Sequence, residues 1–148
     1  GTLLLQQRAR SKYHSGGLWS NTCCSHPREG ESLELAVHRA LIHEMGFDCE
    51  LRKVMDFVYR ADVGDGLVEH EFDHVFSGFW TGEVLPSPDE AEAIRWIDTD
   101  LLFDDLKVRP SLYTPWFRGI LGQMDPVLFR RLAEEEKRLH RRDRRSGD

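Results

Sequence analysis

The chain has 148 residues, 40% of them hydrophobic and 31% charged, which is enough for one folded domain with a real core. Its 20 basic against 26 acidic side chains leave a net charge of −6, which argues against general nucleic-acid binding. No apolar run approaches membrane-spanning length, and the first residues lack the basic-then-apolar pattern of a secretion signal. Three cysteines, two of them adjacent, make no disulfide framework, so a reduced, cytoplasmic protein without membrane or nucleic-acid partners is expected.

Thr2 to Arg8 reads as a strand entering from outside the given sequence. Arg8, Arg10 and Lys12 follow, with Ser11, Ser15, Gly16 and Gly17 marking a loop. Charge pattern alone makes these cations a solvated basic loop, whereas cations beside a glycine-rich turn also suit a phosphate-bearing ligand. Leu18 to Cys24 is β-like, and Pro27 ends it because proline cannot donate to a ladder. Ser32 predicts a helix N-cap, Glu31 and Glu34 complement the positive end of the dipole, and Gly46 predicts a left-handed C-cap after Met45. The buried stripe of this helix is read as Leu33, Val37 and Ala40 or Leu41. Glu44 lies seven residues after Val37 and so on nearly the same face, where a carboxylate is costly unless paired. Arg39 points elsewhere on the wheel, which leaves a metal ion as the favoured partner.

Lys53 to Ala61 reads as a second strand, 62–66 as a turn and Leu67 to Trp80 as the longest strand. Period-two alternation puts Leu67, Glu69, Glu71, Asp73, Val75 and Phe79 on one face, and Val68, His70, Phe72, His74, Phe76 and Trp80 on the other. Three successive carboxylates on one face disfavour folding without a cation. A solvated edge strand explains the same pattern, and Glu44 tips the balance toward metal. Residues 86–92 form an acidic loop, and Ala93 to Ile97 a short strand. Asp98 or Thr99 caps a helical turn through Leu106, and Pro115 sits in the first turn of another helix. Beyond Met124, Asp125-Pro126 opens a last helix and Lys137 to Arg145 is nearly all basic. The chain is therefore divided into a domain at 1–124 and a helix with a basic tail at 125–148 that frays into solvent, or else meets an anionic partner or a second subunit.

Cys24 and His26 project to the same side of an extended segment, while Cys23 reads as a small buried hydrophobe. Two readings of Cys24 stay open: a soft metal ligand with His26, or an acid/base or nucleophilic group beside a metal that His26 holds. A carboxylate and a thiol on opposite sides of a small substrate could move a proton on and off carbon. Trp116, Trp19 or Tyr59 could lend π density to the positive charge between them, although each aromatic taken alone reads as core.

The stretch Trp19-Ser20-Asn21-Thr22-Cys23-Cys24-Ser25-His26-Pro27, with Gly30-Glu31-Ser32, resembles the type 1 isopentenyl-diphosphate delta-isomerases of the Nudix superfamily. Glu44-Met45-Gly46, Tyr59-Arg60-Ala61 with Glu69-His70-Glu71, and Thr114-Pro115-Trp116 extend the resemblance over about residues 1–122. Arg39, Leu41, Glu44 and Gly46 match the Nudix box, whereas Ala40 and His43 replace glutamates that Nudix hydrolases use for metal and water activation. The resemblance implies an α/β (α+β) fold, a Nudix-type α/β/α sandwich with a mixed β-sheet. It also implies conversion of isopentenyl diphosphate to dimethylallyl diphosphate through a tertiary carbocation.

By the same resemblance, Cys24 and Glu71 are the catalytic pair on opposite faces of the substrate. Tyr59 assists Glu71, Trp116 faces the cation and contacts substrate, and Arg8 and Lys12 contact the diphosphate. A divalent metal (Mg2+, Mn2+ or Zn2+) is implied on His26, Glu69 and Glu71, and a Mg2+ that also binds the diphosphate on Glu44. Two further histidine ligands of the family would precede Gly1, so three of five fall within the chain, and weak metal occupancy with little activity is expected of it as given. The expected partner is a small allylic or homoallylic diphosphate, and the expected state a monomer or weak dimer. Hydrolysis of another organic diphosphate, or diphosphate binding without catalysis, are the alternatives.

Overall fold

The computed structural model describes residues 1–146. Strand β1 (Thr2–Arg8) buries Leu4 toward one core cluster and Leu5 toward another, and full burial of a leucine contributes about 1.5–3 kcal/mol. On the Leu4 side lie Leu41, Met45, Phe47 and Ala91. On the Leu5 side lie Leu102, Tyr113, Trp116, Phe117 and Leu121. A strand covered on both faces by helices is the middle layer of an α/β/α sandwich.

β1 is the centre of a three-stranded antiparallel sheet, flanked by β2 (Trp19–Ser20) and β5 (Ala91–Asp98), with a register shift between Gln7 and Arg8. β3 (Leu51–Gly64) and β4 (Leu67–Gly78) form a long antiparallel hairpin with Tyr59 opposite Glu71 and Ala61 opposite Glu69. Its turn is Asp65-Gly66, both at positive φ, the backbone that two-residue hairpin loops require. The sheet is less mixed than expected: among the described residues the parallel component is an isolated bridge, Trp19 to Tyr113. The β-like stretch at Leu18–Cys24 also pairs only at Trp19–Ser20, because Asn21 Nδ2 then donates to the Cys23 carbonyl (2.6 Å) and Thr22 Oγ1 to the Leu4 carbonyl (2.7 Å). Those side-chain bonds replace a ladder and leave the following residues free to line a cleft.

Helix α1 (Leu33–Met45) starts where Ser32 Oγ accepts from the Leu35 N–H (3.2 Å). It ends at Gly46 with φ 73°, where a Cβ would stand 2.7 Å from the Leu85 carbonyl oxygen, so glycine is required twice over. Its buried face is Ala36, Ala40, Leu41, Glu44 and Met45, rotated from the expected stripe so that Leu33 and Val37 are only half-buried. Asp98 caps α2 (Thr99–Val108) and Pro115 opens α3 (Pro115–Gln123), as the sequence predicts. Asp125 accepts from the Leu128 N–H (2.8 Å) at the start of α4 (Pro126–Ser146). The basic stretch stays helical through Ser146 instead of fraying from Lys137; Gly147 and Asp148 of the expected tail lie outside the described residues. Phe129 and Leu132 of α4 pack on the core, and buried Glu136 accepts from Arg52 Nη2 (2.6 Å) and Ser77 Oγ (2.7 Å). No helix among the described residues is long and apolar enough to cross a membrane.

The hairpin inverts the usual alternation. Val58, Val68 and Phe72 are exposed, while Glu69, Glu71 and Asp73 face the half-buried side. Burying three carboxylates and exposing three apolar side chains costs folding energy, so this face is built for something other than stability.

Candidate active site

Two of the inward carboxylates, Glu69 and Glu71, open onto a cleft of about 360 Å³. All nine residues expected at a site line it: Arg8, Lys12, Cys24, His26, Glu44, Tyr59, Glu69, Glu71 and Trp116. They come from β1, the two loops around β2, α1, the β3–β4 hairpin and the first turn of α3. Tertiary packing alone brings them together.

Glu69 and Glu71 point the same way because they are two residues apart on β4, and Tyr59 reaches both from the paired strand. Its hydroxyl donates to Glu69 Oε2 through a very short hydrogen bond and lies 3.4 Å from Glu71 Oε2. Each carboxylate also has an imidazole: His14 Nε2 lies 2.8 Å from Glu69 Oε1, and His26 Nε2 lies 3.0 Å from Glu71 Oε1. The first pair is closed off, with the His14 side chain 5% exposed, and the second is open, with His26 70% exposed. Burial lowers the His14 pKa, which Glu69 partly offsets. Next along the strand, burial raises Asp73 to about 6, and Glu71 and Glu69 add to the rise. Tyr59 is pushed up by burial and by its bond to Glu69, so it is a hydroxyl donor and never a phenolate here.

Cys24 is exposed and lines the cleft. Desolvation of the thiol there, followed by the charges of Asp73 and Glu44, pushes it up to about 12. It rests as a neutral thiol. Cys23 is raised further by burial and by Glu44; it is half-buried and its thiol bonds Glu44, so it is more than the buried apolar filler the sequence suggests. Glu44 is 5% exposed and its pKa is raised by burial. Gln6 Nε2 donates to it at 3.0 Å, and the Cys23 thiol and Cys24 N–H also donate to it. Arg39 does not reach it, being held in a two-pronged pair with Glu31 (2.6 and 2.8 Å).

Buried Arg8 stacks over the Trp116 ring at 5.0 Å and donates from Nη2 to the His14 carbonyl (3.2 Å). Its Nε and the Trp116 Nε1 have no hydrogen-bond partner among the described residues. Buried donors left unpaired are costly, and here they suit an acceptor entering the cleft. Lys12 differs from expectation: its ammonium is bound to Glu90 Oε2 at 2.5 Å, with His43 Nε2 4.0 Å from the other oxygen. Sequence reasoning missed Glu90 and His14. Glu90 lay within the acidic loop, and His14 beside the glycine turn that follows Lys12, but neither carried a spacing signal.

Carboxylate oxygens with imidazole nitrogens are the donors that Mg2+, Mn2+ and Zn2+ take. The expected set His26, Glu69 and Glu71 shares the cleft as hydrogen-bonded pairs. Among the described residues, no three His, Cys, Asp or Glu side chains converge into a ready cage.

A NUDIX domain profile matches residues 1–117. The chain belongs to the Nudix family. Its fold agrees: the MutT protein of Methanosarcina mazei superposes with a TM-score of 0.59 at 19% identity, covering 93% of this chain and 86% of that one. A MutT NUDIX hydrolase from Burkholderia pseudomallei gives 0.56 at 26% identity over 68% of this chain and 75% of that one. Within the family the chain falls among the isopentenyl-diphosphate delta-isomerases. It is 53% identical to the isopentenyl-diphosphate Delta-isomerase of Burkholderia multivorans over 131 residues, 88% of this chain and 74% of the relative. It is 52% identical to isopentenyl-diphosphate Delta-isomerase 2 of Aromatoleum aromaticum over 122 residues, 82% of this chain. The chain spans 65% of that relative's length. Nudix enzymes and these isomerases generally depend on a divalent metal.

Proposed function

We propose that this chain carries the active site of an enzyme that converts isopentenyl diphosphate to dimethylallyl diphosphate. The observation that supports this best is the placing of the neutral Cys24 thiol in one cleft with the Tyr59-linked carboxylates Glu69 and Glu71. Isomerisation needs one proton added to the alkene and a different proton removed from the neighbouring carbon. A thiol and a carboxylate are groups that can exchange protons in this way. Addition at the terminal carbon leaves a tertiary cation, and loss of the other proton restores a double bond one position along. Cys24 and Glu71 carry these two transfers from opposite faces, and the Tyr59 hydroxyl, anchored on Glu69, assists from 3.4 Å beside Glu71. The Trp116 ring lends π density to the cation. Arg8, with Lys12 at the cleft rim, holds the diphosphate.

His26, Glu69 and Glu71 would hold one divalent metal (Mg2+, Mn2+ or Zn2+), and Glu44 a Mg2+ shared with the diphosphate. When bound, such ions neutralise the clustered carboxylates and the diphosphate charge. Hydrolysis is less well supported, because Ala40 and exposed His43 leave that face of α1 without the glutamates that activate water. The small-molecule diphosphate is the proposed partner, the cytoplasm the proposed location, and residues 1–124 the proposed catalytic unit. Incubation of the enzyme with isopentenyl diphosphate and Mg2+ tests the reading. Slow double-bond migration seen by NMR is the expected result, in line with the three of five metal ligands that fall within the chain, and phosphate release without migration would replace the isomerase by a hydrolase.

A further inference from the structure

Arg8 and Lys12 are both read as diphosphate contacts, yet the fold leaves them in opposite conditions. Arg8 spends Nη2 on the His14 carbonyl (3.2 Å) and keeps a buried Nε without a hydrogen-bond partner among the described residues. Lys12 is closed, because its ammonium donates to Glu90 Oε2 at 2.5 Å. These two side chains are 23% and 22% exposed, unlike the pair beside them, Arg10 with Glu92 at 3.3 Å, where Arg10 is 82% exposed. Backbone bonds keep Lys12 and Glu90 in register: the Lys12 N–H donates to the Ala9 carbonyl (3.1 Å), and the Ala9 N–H to the Glu90 carbonyl (2.9 Å).

Glu90 has the wrong charge for its place. It lines the same cleft as Arg8, Lys12 and His43, and adds a negative charge to those of Glu44, Glu69 and Glu71 where an anion is to be held. That charge is felt inside the cleft, since the Glu44 pKa is raised by burial and then by Glu90. A carboxylate and a phosphate offer the same kind of acceptor to an ammonium, which is a point charge and not a fork, so the two compete for Lys12. We infer that Glu90 is an internal counter-ion which a diphosphate displaces from Lys12, and that this exchange sets how tightly the cleft holds its anion. Arg8 is open to the ligand from the start, and Lys12 becomes so when Glu90 lets go. The inference rests on the reading of Lys12 as a diphosphate contact.

Calorimetric titration of the whole chain with inorganic pyrophosphate, with no metal added, reads the protein's own charges without measuring turnover. Glu90→Gln removes the charge at nearly constant size and leaves the backbone bonds of Glu90 in place. It should bind pyrophosphate about tenfold more tightly, the weight of one charge-assisted hydrogen bond that no longer has to be exchanged. Glu92→Gln makes the same charge change two residues on, at a side chain that does not line the cleft, and should shift affinity by less than about twofold because exposed charges are screened. Unchanged or weaker binding in Glu90→Gln would overturn the inference, since Glu90 would then aim Lys12 and not compete for it. Equal tightening in both variants would overturn it as well, because the general field would then be the cause. Should Glu90→Gln fail to fold, Glu90→Ala makes the same neutralisation and carries the same expectations. Lys12→Met tests the underlying reading separately. If it binds pyrophosphate as the parent does, or if pyrophosphate binds neither the parent nor any variant, the diphosphate contact at Lys12 fails and takes this inference with it.

Discussion

The Tyr59 hydroxyl donates its one proton to Glu69 and stands 3.4 Å from Glu71, so that one side chain on β3 lies between two inward carboxylates of β4. Hydrogen bonds to charged groups contribute about 1.5–3 kcal/mol each. Tyr59→Phe deletes the hydroxyl and leaves the ring packed beside Phe57. Loss of one such bond corresponds to about a 10–100-fold fall in rate, expected mainly in kcat because the contact aims a proton-transfer group. Steady-state kinetics within twofold of the parent would remove Tyr59 from the mechanism.

The Cys24 thiol is predicted to alkylate slowly at neutral pH despite its exposure. Only about one thiol in 10⁵ is ionised at pH 7 when the pKa is about 12. The iodoacetamide rate at Cys24, followed by peptide mass spectrometry, should rise about tenfold per pH unit up to pH 10 without levelling, as a single ionisation far above that range requires. A plateau near pH 7 would reveal a thiolate and a different role.

Asp73 is predicted to oppose folding at neutral pH. Its pKa rises to about 6 in the folded chain, against about 3.9 unfolded. Between those values the folded state binds more protons than the unfolded one, so stability falls as pH rises from about 4 to about 6. Asp73→Asn should flatten that slope and raise stability at pH 7.5 by on the order of 1 kcal/mol, less than the full shift because solvent screens a half-buried group. Urea denaturation across this pH range checks it, and a less stable Asn variant at pH 7.5 would contradict it.

Glu136 fastens α4 to the hairpin through Arg52 and Ser77. Glu136→Ala removes a buried acceptor and leaves Ser77 without it, while Arg52 keeps Glu135 (3.3 Å), which should lower stability by about 1–2 kcal/mol. A change below about 0.5 kcal/mol, the size expected of a surface substitution, would mean that α4 docks by its apolar face alone.

Much of this architecture was legible because its signals are local. Ser32, Gly46, Asp98, Pro115 and Asp125 each mark a helix end by chemistry within a few residues, and all five mark real ends. The carboxylate face of β4 followed from alternation, although which face turned inward did not, because the hairpin exposes Val68 and Phe72 against the hydrophobic rule. The burial of Glu44 was read correctly while the stripe around it was misplaced by one position, since contact with β1 and Phe47 sets the rotation of α1. His14 and Glu90 were missed because their partners lie 55 and 78 residues away in sequence, Glu69 from the first and Lys12 from the second. Pairings at that separation leave no periodicity to read.

The central claim is that Cys24 and Glu71 perform the two proton transfers. NMR of ¹³C-labelled isopentenyl diphosphate with the enzyme and its Cys24→Ala and Glu71→Gln variants tests it most directly. Each variant should keep the parent circular dichroism spectrum and lose isomerisation by at least about 10³-fold, as removal of a proton-transfer group does. Near-parental turnover in either variant would contradict the assignment.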